Sequence, residues 1–301
     1  MNNEVYLIGY ASGVAANNID CALGPWYLHF HTELFHSLDI HYHWKNIIFA
    51  ASNLRGLEVA PSVAEINTTL AKEVDRLVRE NKHFCVLGGD HSSAIGTWSG
   101  VAHAYRDTGD IGLIWIDAHL DSHTPETSTT QNIHGMPVAH LLGHGIASLT
   151  QIMDAQPKIK PDNICVIGAR SYESGEESFL QQLGVKIVYM EELSRRSFTD
   201  VLAEAVAYVT QRTCGFGISF DLDGIDPIDA PGVGCRVPDG LRTEQVIAAF
   251  RALDFSKLIG LEIAEYNPML DQNLKTAKIV PMIIDALYNR QIQGATTPIA
   301  A

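Results

Sequence analysis

In four places along this 301-residue chain, acids or histidines stand directly behind an apolar run. Leu87 is followed by Gly88-Gly89-Asp90-His91-Ser92, and Ile116 by Asp117-Ala118-His119-Leu120-Asp121. Phe220 is followed by Asp221-Leu222-Asp223-Gly224-Ile225-Asp226-Pro227, and Ile263 by Ala264-Glu265-Tyr266-Asn267-Pro268. One Asp after a strand is ordinary, because Asp favours caps and turns. The same chemistry repeated at three run ends is not explained that way. The candidate metal ligands are His91, Asp117, His119, Asp121, Asp221 and Asp223. Alternate residues share a face if the backbone stays extended, so Asp117, His119 and Asp121 would then converge, as would Asp221 and Asp223. Four carboxylates and two imidazoles exceed what one ion needs and suit two divalent ions sharing carboxylates. Oxygen-rich ligation without sulfur favours manganese over zinc or copper. Such a pair lowers the pKa of a shared water and hydrolyses a poorly electrophilic centre without a covalent intermediate. No Gly-x-Ser-x-Gly elbow, P-loop or Gly-x-Gly-x-x-Gly fingerprint offers a rival mechanism.

The elements that must hold these residues are legible from periodicity. Apolar runs rich in β-branched residues occur at 5–8, 84–87, 111–116, 164–167, 185–189, 216–220 and 258–263. Segments with helical periodicity lie between them, at 62–80, 92–105, 174–183, 198–210 and 243–253. Near-continuous apolar strands alternating with amphipathic helices imply a mostly parallel sheet covered on both faces: one three-layer α/β/α domain over residues 1–301. Ligands of such sheets sit beyond the carboxyl ends of the strands, where the acids and histidines fall.

Composition narrows the classes. A net charge of −14 argues against nucleic acid and anionic membrane as partners. No apolar stretch is long enough to span a bilayer, and the first ten residues read as a strand, not a targeting segment. Cys21, Cys85, Cys165, Cys214 and Cys235 are odd in number and contain no CxxC, so a disulfide framework or zinc-thiolate site is not expected and a reducing cytoplasm is.

Gly88–His91, Asp117–Asp121 and Ser219–Pro227 resemble the three signatures of the ureohydrolases, Gly-Gly-Asp-His, Asp-Ala-His-x-Asp and Ser-x-Asp-x-Asp-x-x-Asp-Pro. The similarity continues through Glu126–Ser128, Asn132–Pro137, Gly168–Glu177, Asp229–Gly234 and Asn273–Ala277, nearest the bacterial arginases; the first sixty residues match weakly. The resemblance implies an arginase-like fold, two Mn2+ on the six ligands, release of urea from a guanidino substrate, and a homo-oligomer, trimer or hexamer. It makes His134 a proton shuttle, Glu265 the acid that holds the guanidinium, and Asp121 both a ligand and the group passing a proton to the leaving amine. The α-amino-acid end of the substrate would fall to His123, Thr130, Asn132 and Glu173.

Here the chain departs from its relatives. Arginases usually carry Asn at His123, Ser at Thr130, Asp at Glu173, and Thr-Pro at Cys235-Arg236. The first three changes keep chemical type, so L-arginine remains the expected substrate. Agmatine, a guanidino acid or a formimino compound are the alternatives within the family. A non-catalytic relative would have lost ligands, and all six are present. The crowded histidines His29, His31, His36, His41 and His43 straddle a helix-to-strand change and are expected to serve surface and packing roles. The small, polar tail 294–301 is expected to fray.

Overall fold

The computed structural model describes residues 4–36 and 38–294, so the tail beyond Gly294 lies outside the described residues. The strands are β1 (Glu4–Ala11), β2 (His41–Phe49), β3 (His83–Gly88), β4 (Gly112–Ile116), β5 (Ile164–Ala169), β6 (Lys186–Tyr189), β7 (Phe216–Asp221) and β8 (Leu258–Ala264). They form one sheet in the order β2-β1-β3-β8-β7-β4-β5-β6, every neighbouring pair parallel. All seven apolar runs are strands. β2 had no counterpart among them, because it is an edge strand: His41, His43 and Lys45 are exposed, and no continuous apolar run marks it.

Side-chain alternation sorts the core into two layers. Cys85, Ile114, Ile116, Ile218, Phe220 and Ile263 pack with helices Phe198–Val209, Thr243–Ala252 and Lys275–Gly294. Phe84, Val86, Leu113, Trp115 and Val166 pack on the other face with helices Ala60–Arg79 and Ser93–Tyr105. Gly217 sits on that second face of β7, where a Cβ would lie 1.9 Å from the Trp98 ring. A glycine there lets helix Ser93–Tyr105 lie directly on the middle of the sheet.

The strand order positions the site. β8 and β7, last in the chain, insert between β3 and β4, so the four strands whose ends carry acids and histidines are contiguous. Their register is level at those ends: Leu87 pairs Ile263, Phe220 pairs Ile263, and Ile116 pairs Phe220. The clustered N-terminal histidines take packing roles. His29 sits edge-on to Trp44 at 4.9 Å, His31 stacks on Tyr27 at 3.8 Å, and His43 Nε2 lies 3.2 Å from Glu4. Among the described residues no helix is long and apolar enough to cross a membrane.

One histidine makes the fold sensitive to acid. His140, in the short helix Pro137–Leu141, is buried with Nδ1 2.8 Å from the Met136 carbonyl, while Nε2 accepts from the Ile146 N–H at 3.1 Å. That second bond requires a neutral ring, and burial pushes its pKa down to about 4 from an ordinary 6.5. The unfolded chain therefore takes up a proton that the folded chain refuses. Stability is present above pH 6.5 and is lost as pH falls towards 4, by up to about 3 kcal/mol. We expect His140→Gln to flatten this part of the pH dependence in urea unfolding between pH 7 and 4.5. An unchanged slope would assign the acid sensitivity elsewhere.

Candidate metal centre

Each functional side chain leaves the end of a buried strand through a short, tightly bonded turn. After β3, Gly89 N–H donates to Tyr10 O at 2.7 Å and Asp90 N–H to Ser12 O at 2.8 Å, which turns His91 towards β7 and β4. Gly89 O in turn accepts from Glu265 N–H at 2.8 Å, fastening the β3 and β8 turns together. After β4 and β7 the ligands cap their own turns: Asp117 Oδ1 accepts from His119 N–H at 2.7 Å, and Asp221 Oδ1 from Asp223 N–H at 2.8 Å. Asp121 (φ 47°) and Glu265 (φ 68°) lie in the left-handed region. Non-glycine residues enter it at a cost of order 1 kcal/mol, and such strain concentrates at functional sites.

The turns bring the six sequence-derived ligands together. His91 Nδ1 lies 3.2 Å from Asp117 Oδ2, 3.2 Å from Asp121 Oδ2 and 3.1 Å from Asp221 Oδ2. His119 Nδ1 lies 3.3 Å from Asp117 Oδ1 and 3.2 Å from Asp223 Oδ2. Two three-ligand groups result, His91-Asp117-Asp221 and Asp117-His119-Asp223, with Asp117 common to both. His91 Nδ1 is buried and, among the described residues, has no hydrogen-bond partner although three carboxylate oxygens surround it. Groups that face one another without bonding are arranged as groups sharing a cation. The donor set therefore fits two adjacent divalent ions, oxygen-rich with one imidazole to each group.

Burial and mutual repulsion act on the acids. Asp121 is pushed up to about 6 by burial, then by the charge of Asp117. Burial raises Asp221 and Asp223 too, with further repulsion from neighbouring aspartates. Asp117 goes the other way: burial would raise it, but the His119 and His91 imidazoles beside it outweigh burial and hold it low. Carboxylates crowded out of water resist ionising together, and a divalent cation relieves that repulsion.

Beside the ligands, Glu265 Oε1 accepts from the His91 N–H at 2.9 Å and lies 3.0 Å from His134 Nδ1. Burial alone would lower the His134 imidazole, but the hydrogen bond and charge of Glu265 raise it to about 9. The same pair keeps Glu265 below its usual range, against burial.

These groups open into a cleft of about 130 Å³ whose walls include His119, Asp121, His123, Thr130, His134, Glu173, Asp221, Asp223 and Glu265. Asn132, also a candidate for substrate binding, does not line it. A more open groove of about 680 Å³, lined in part by Ile228, Arg242 and Met282, holds none of the candidate residues, so size does not mark the site here. At the mouth, His123 Nε2 lies 2.8 Å from Glu173 and 3.3 Å from Glu176, and its Nδ1 3.1 Å from Thr127 Oγ1. Cys235 is exposed as a residue but lines the cleft, where desolvation by the cleft wall, then the charge of Glu265, pushes its thiol up to about 12. Arg236 turns elsewhere, donating to the carbonyls of Pro231 at 2.7 Å and Leu270 at 2.8 Å, so its charge does not line the cleft.

Two contributors escaped sequence reasoning. Trp115, two residues before Asp117 on β4, donates from its indole to Asp117 Oδ2 at 2.9 Å and stacks on the His91 ring at 4.2 Å. Glu176 is buried, accepts from Ser122 N–H at 3.1 Å, and is pushed up to about 8 by burial, then by Glu173. Its signal was its place one helical turn after Glu173.

Comparison with known proteins agrees with this geometry. The Arginase family profile matches residues 3–288. Arginase from Bacillus caldovelox is 45% identical over 242 residues, 80% of this chain and 79% of the relative. Its native structure at pH 5.6 superposes with a TM-score of 0.87 at 38% identity, covering 96% of this chain and 98% of that one. The Entamoeba histolytica arginase in complex with L-ornithine superposes with a TM-score of 0.84 at 28% identity, covering 96% and 99%. With its three signature turns brought to one place and its profile matched over almost the whole length, the chain belongs to the arginase family.

Proposed function

We propose that this protein, acting as a single domain over residues 1–301, hydrolyses L-arginine to L-ornithine and urea with two divalent ions, manganese foremost. One observation carries this: in a member of the arginase family, the Glu265–His134 pair stands directly beside six converging ligand side chains. The ornithine-bound Entamoeba relative supports an α-amino acid as the substrate. A homo-oligomer, trimer or hexamer, and a cytoplasmic location follow from the family resemblance.

Ions held by His91, Asp117, His119, Asp121, Asp221 and Asp223 would supply an activated water and draw electrons from the guanidinium. Glu265 takes the planar cation through charge-assisted hydrogen bonds and fixes the face presented to attack. Its Oε1 also serves His134, so a guanidinium arriving there competes with the imidazole. A histidine that loses its carboxylate partner releases its proton more readily. Binding of the cation and delivery of a proton to the departing amine are thereby coupled through one carboxylate. Asp121 moves the proton of the attacking water towards the same nitrogen. At the mouth, Glu173 receives the α-ammonium and Thr130 and His123 receive the α-carboxylate; Asn132, outside the cleft lining, would join them only through a shift of its loop.

Purified protein should hold about two manganese ions per chain, and Asp117→Ala or Asp223→Ala should lose both metal and turnover. Metal analysis finding one ion or none in active enzyme would exclude the two-ion mechanism. His134→Ala should lower kcat about a hundredfold and leave KM within a few-fold; normal kcat with a raised KM would make His134 a binding residue.

Specificity is tested by urea release across guanidino compounds. Agmatine lacks a carboxylate and would leave Thr130 and His123 unpaired in the cleft, so L-arginine should be favoured at matched, subsaturating concentrations. Glu173→Ala should raise KM for arginine about tenfold and narrow its lead over agmatine. Faster hydrolysis of agmatine or a guanidino acid by the wild type would replace the substrate while leaving the chemistry of the metal end in place.

A further inference from the structure

The face of His91 turned away from the carboxylates is as ordered as the face turned towards them. His91 Nε2 lies 3.0 Å from Ser219 Oγ, Ser219 Oγ donates to Glu262 Oε2 at 2.6 Å, and Glu262 Oε1 accepts from Ser93 Oγ. All four residues are fully buried. They come from four elements: the turn after β3, the first residue of helix Ser93–Tyr105, β7 and β8. Ser219 and Glu262 are directly paired across β7 and β8.

Counting protons gives the chain a direction. A carboxylate only accepts, so both serine hydroxyls point at Glu262. Ser219, its single proton committed, can only accept from the imidazole. His91 is therefore protonated at Nε2, and the Nδ1 lone pair faces Asp117, Asp121 and Asp221. We propose that Glu262 is a positioning residue for the metal centre: acting through Ser219, it selects the His91 tautomer that can bind a cation and locks the plane of the ring. This rests on His91 being a ligand. It accounts for a carboxylate placed at the centre of an apolar sheet, two residues before the end of β8, where packing alone would favour leucine or isoleucine.

Glu262→Gln tests the idea at constant volume. An amide can donate to Ser219, which lets the serine turn its proton towards His91 Nε2 and shifts the imidazole to the wrong tautomer. In manganese titrations of the full chain by calorimetry, Glu262→Gln and Ser219→Ala should each weaken one of two ions by tenfold or more. The second ion should stay within about twofold of wild type. The double variant should bind no more weakly than the worse single variant, because both cut the same chain. A purely structural Glu262 would instead lower the thermal midpoint while both affinities stayed at wild-type values, or fell together, and either result overturns the proposal. If Glu262→Gln does not fold, Ser219→Ala, which leaves the Ser93–Glu262 bond in place, decides alone. Wild-type protein binding no manganese would remove the underlying two-ion centre, a failure distinct from two tight ions in wild type and variants alike.

Discussion

Four aspartates and two histidines gathered at contact distance, largely out of water, form an assembly that repels itself. The fold is arranged around tolerating it. Backbone amides and one indole supply part of the compensation: His119 N–H and Trp115 Nε1 on Asp117, Asp223 N–H on Asp221, and Ala118 N–H on Asp223 at 3.3 Å. These donors exist only because the chain turns sharply at each strand end, so the turns and the ligands require one another. Arg170 serves the same end from below. Its guanidinium donates to the carbonyls of Asp223 at 2.7 Å, Val237 at 2.9 Å and Pro238 at 3.1 Å, tying the β7 turn to the segment beyond it. That cation also lies near the crowded acids without occupying the cleft.

Compensation from amides requires level strand ends, and level ends require the sheet order observed. Had β7 and β8 been added outside β4, Glu265 and the Asp221–Asp223 turn would stand at least one strand spacing, about 5 Å, further from His91. Insertion of the last two strands between β3 and β4 is what makes four sequence-distant turns neighbours. It also flanks β7 and β8 with strands on both sides, in the buried middle of the sheet where Gly217 meets Trp98 and where Ser219 and Glu262 are paired with one another.

The legible part of the sequence was the part written along one chain direction. Apolar runs ending in acids marked the strands and the six candidate ligands, because position after a strand is a local property; the candidates converge through turns, Leu222–Gly224 being a 3-10 turn and Asp121 left-handed, and not through strand alternation. β2 was not among the runs, because an edge strand needs only one buried side. Trp115 and Glu176 at the site, and Glu262 behind it, were not singled out for a different reason, and Ser219 stood only as the first residue of a signature. Each acts across strands or between a helix and a turn, and nothing in local spacing separates an inward Glu on β8 from a surface one. Register carries that information, and register is a property of the folded sheet.

The two ends of the cleft are built differently, and this bears on how the chain departs from its relatives. The chemical end stands on strand termini whose side chains are buried and bonded from several elements, so exchanging any one disturbs the rest. The mouth stands on loops and a helix start: Thr130 and Glu173 are exposed, and Glu173 caps helix Ser174–Leu183 by accepting from its first turn. His123, Thr130 and Glu173 fall at this end, whereas Cys235 lies by Glu265, Asp223 and His119 at the other. His123 shows what such a change does. An amide at this position would keep a donor and an acceptor in one plane. The imidazole instead sets Nε2 against Glu173 and Glu176 and Nδ1 against Thr127, so the donor offered to a substrate carboxylate is already engaged by two acids. In the function proposed above, a zwitterionic substrate would separate that histidine from its acids, its ammonium replacing the imidazole on Glu173 while its carboxylate takes up the freed N–H. On that proposal recognition at the mouth would be an exchange of partners, as proposed at Glu265, and a substrate carrying only one of the two charges would complete only half of it.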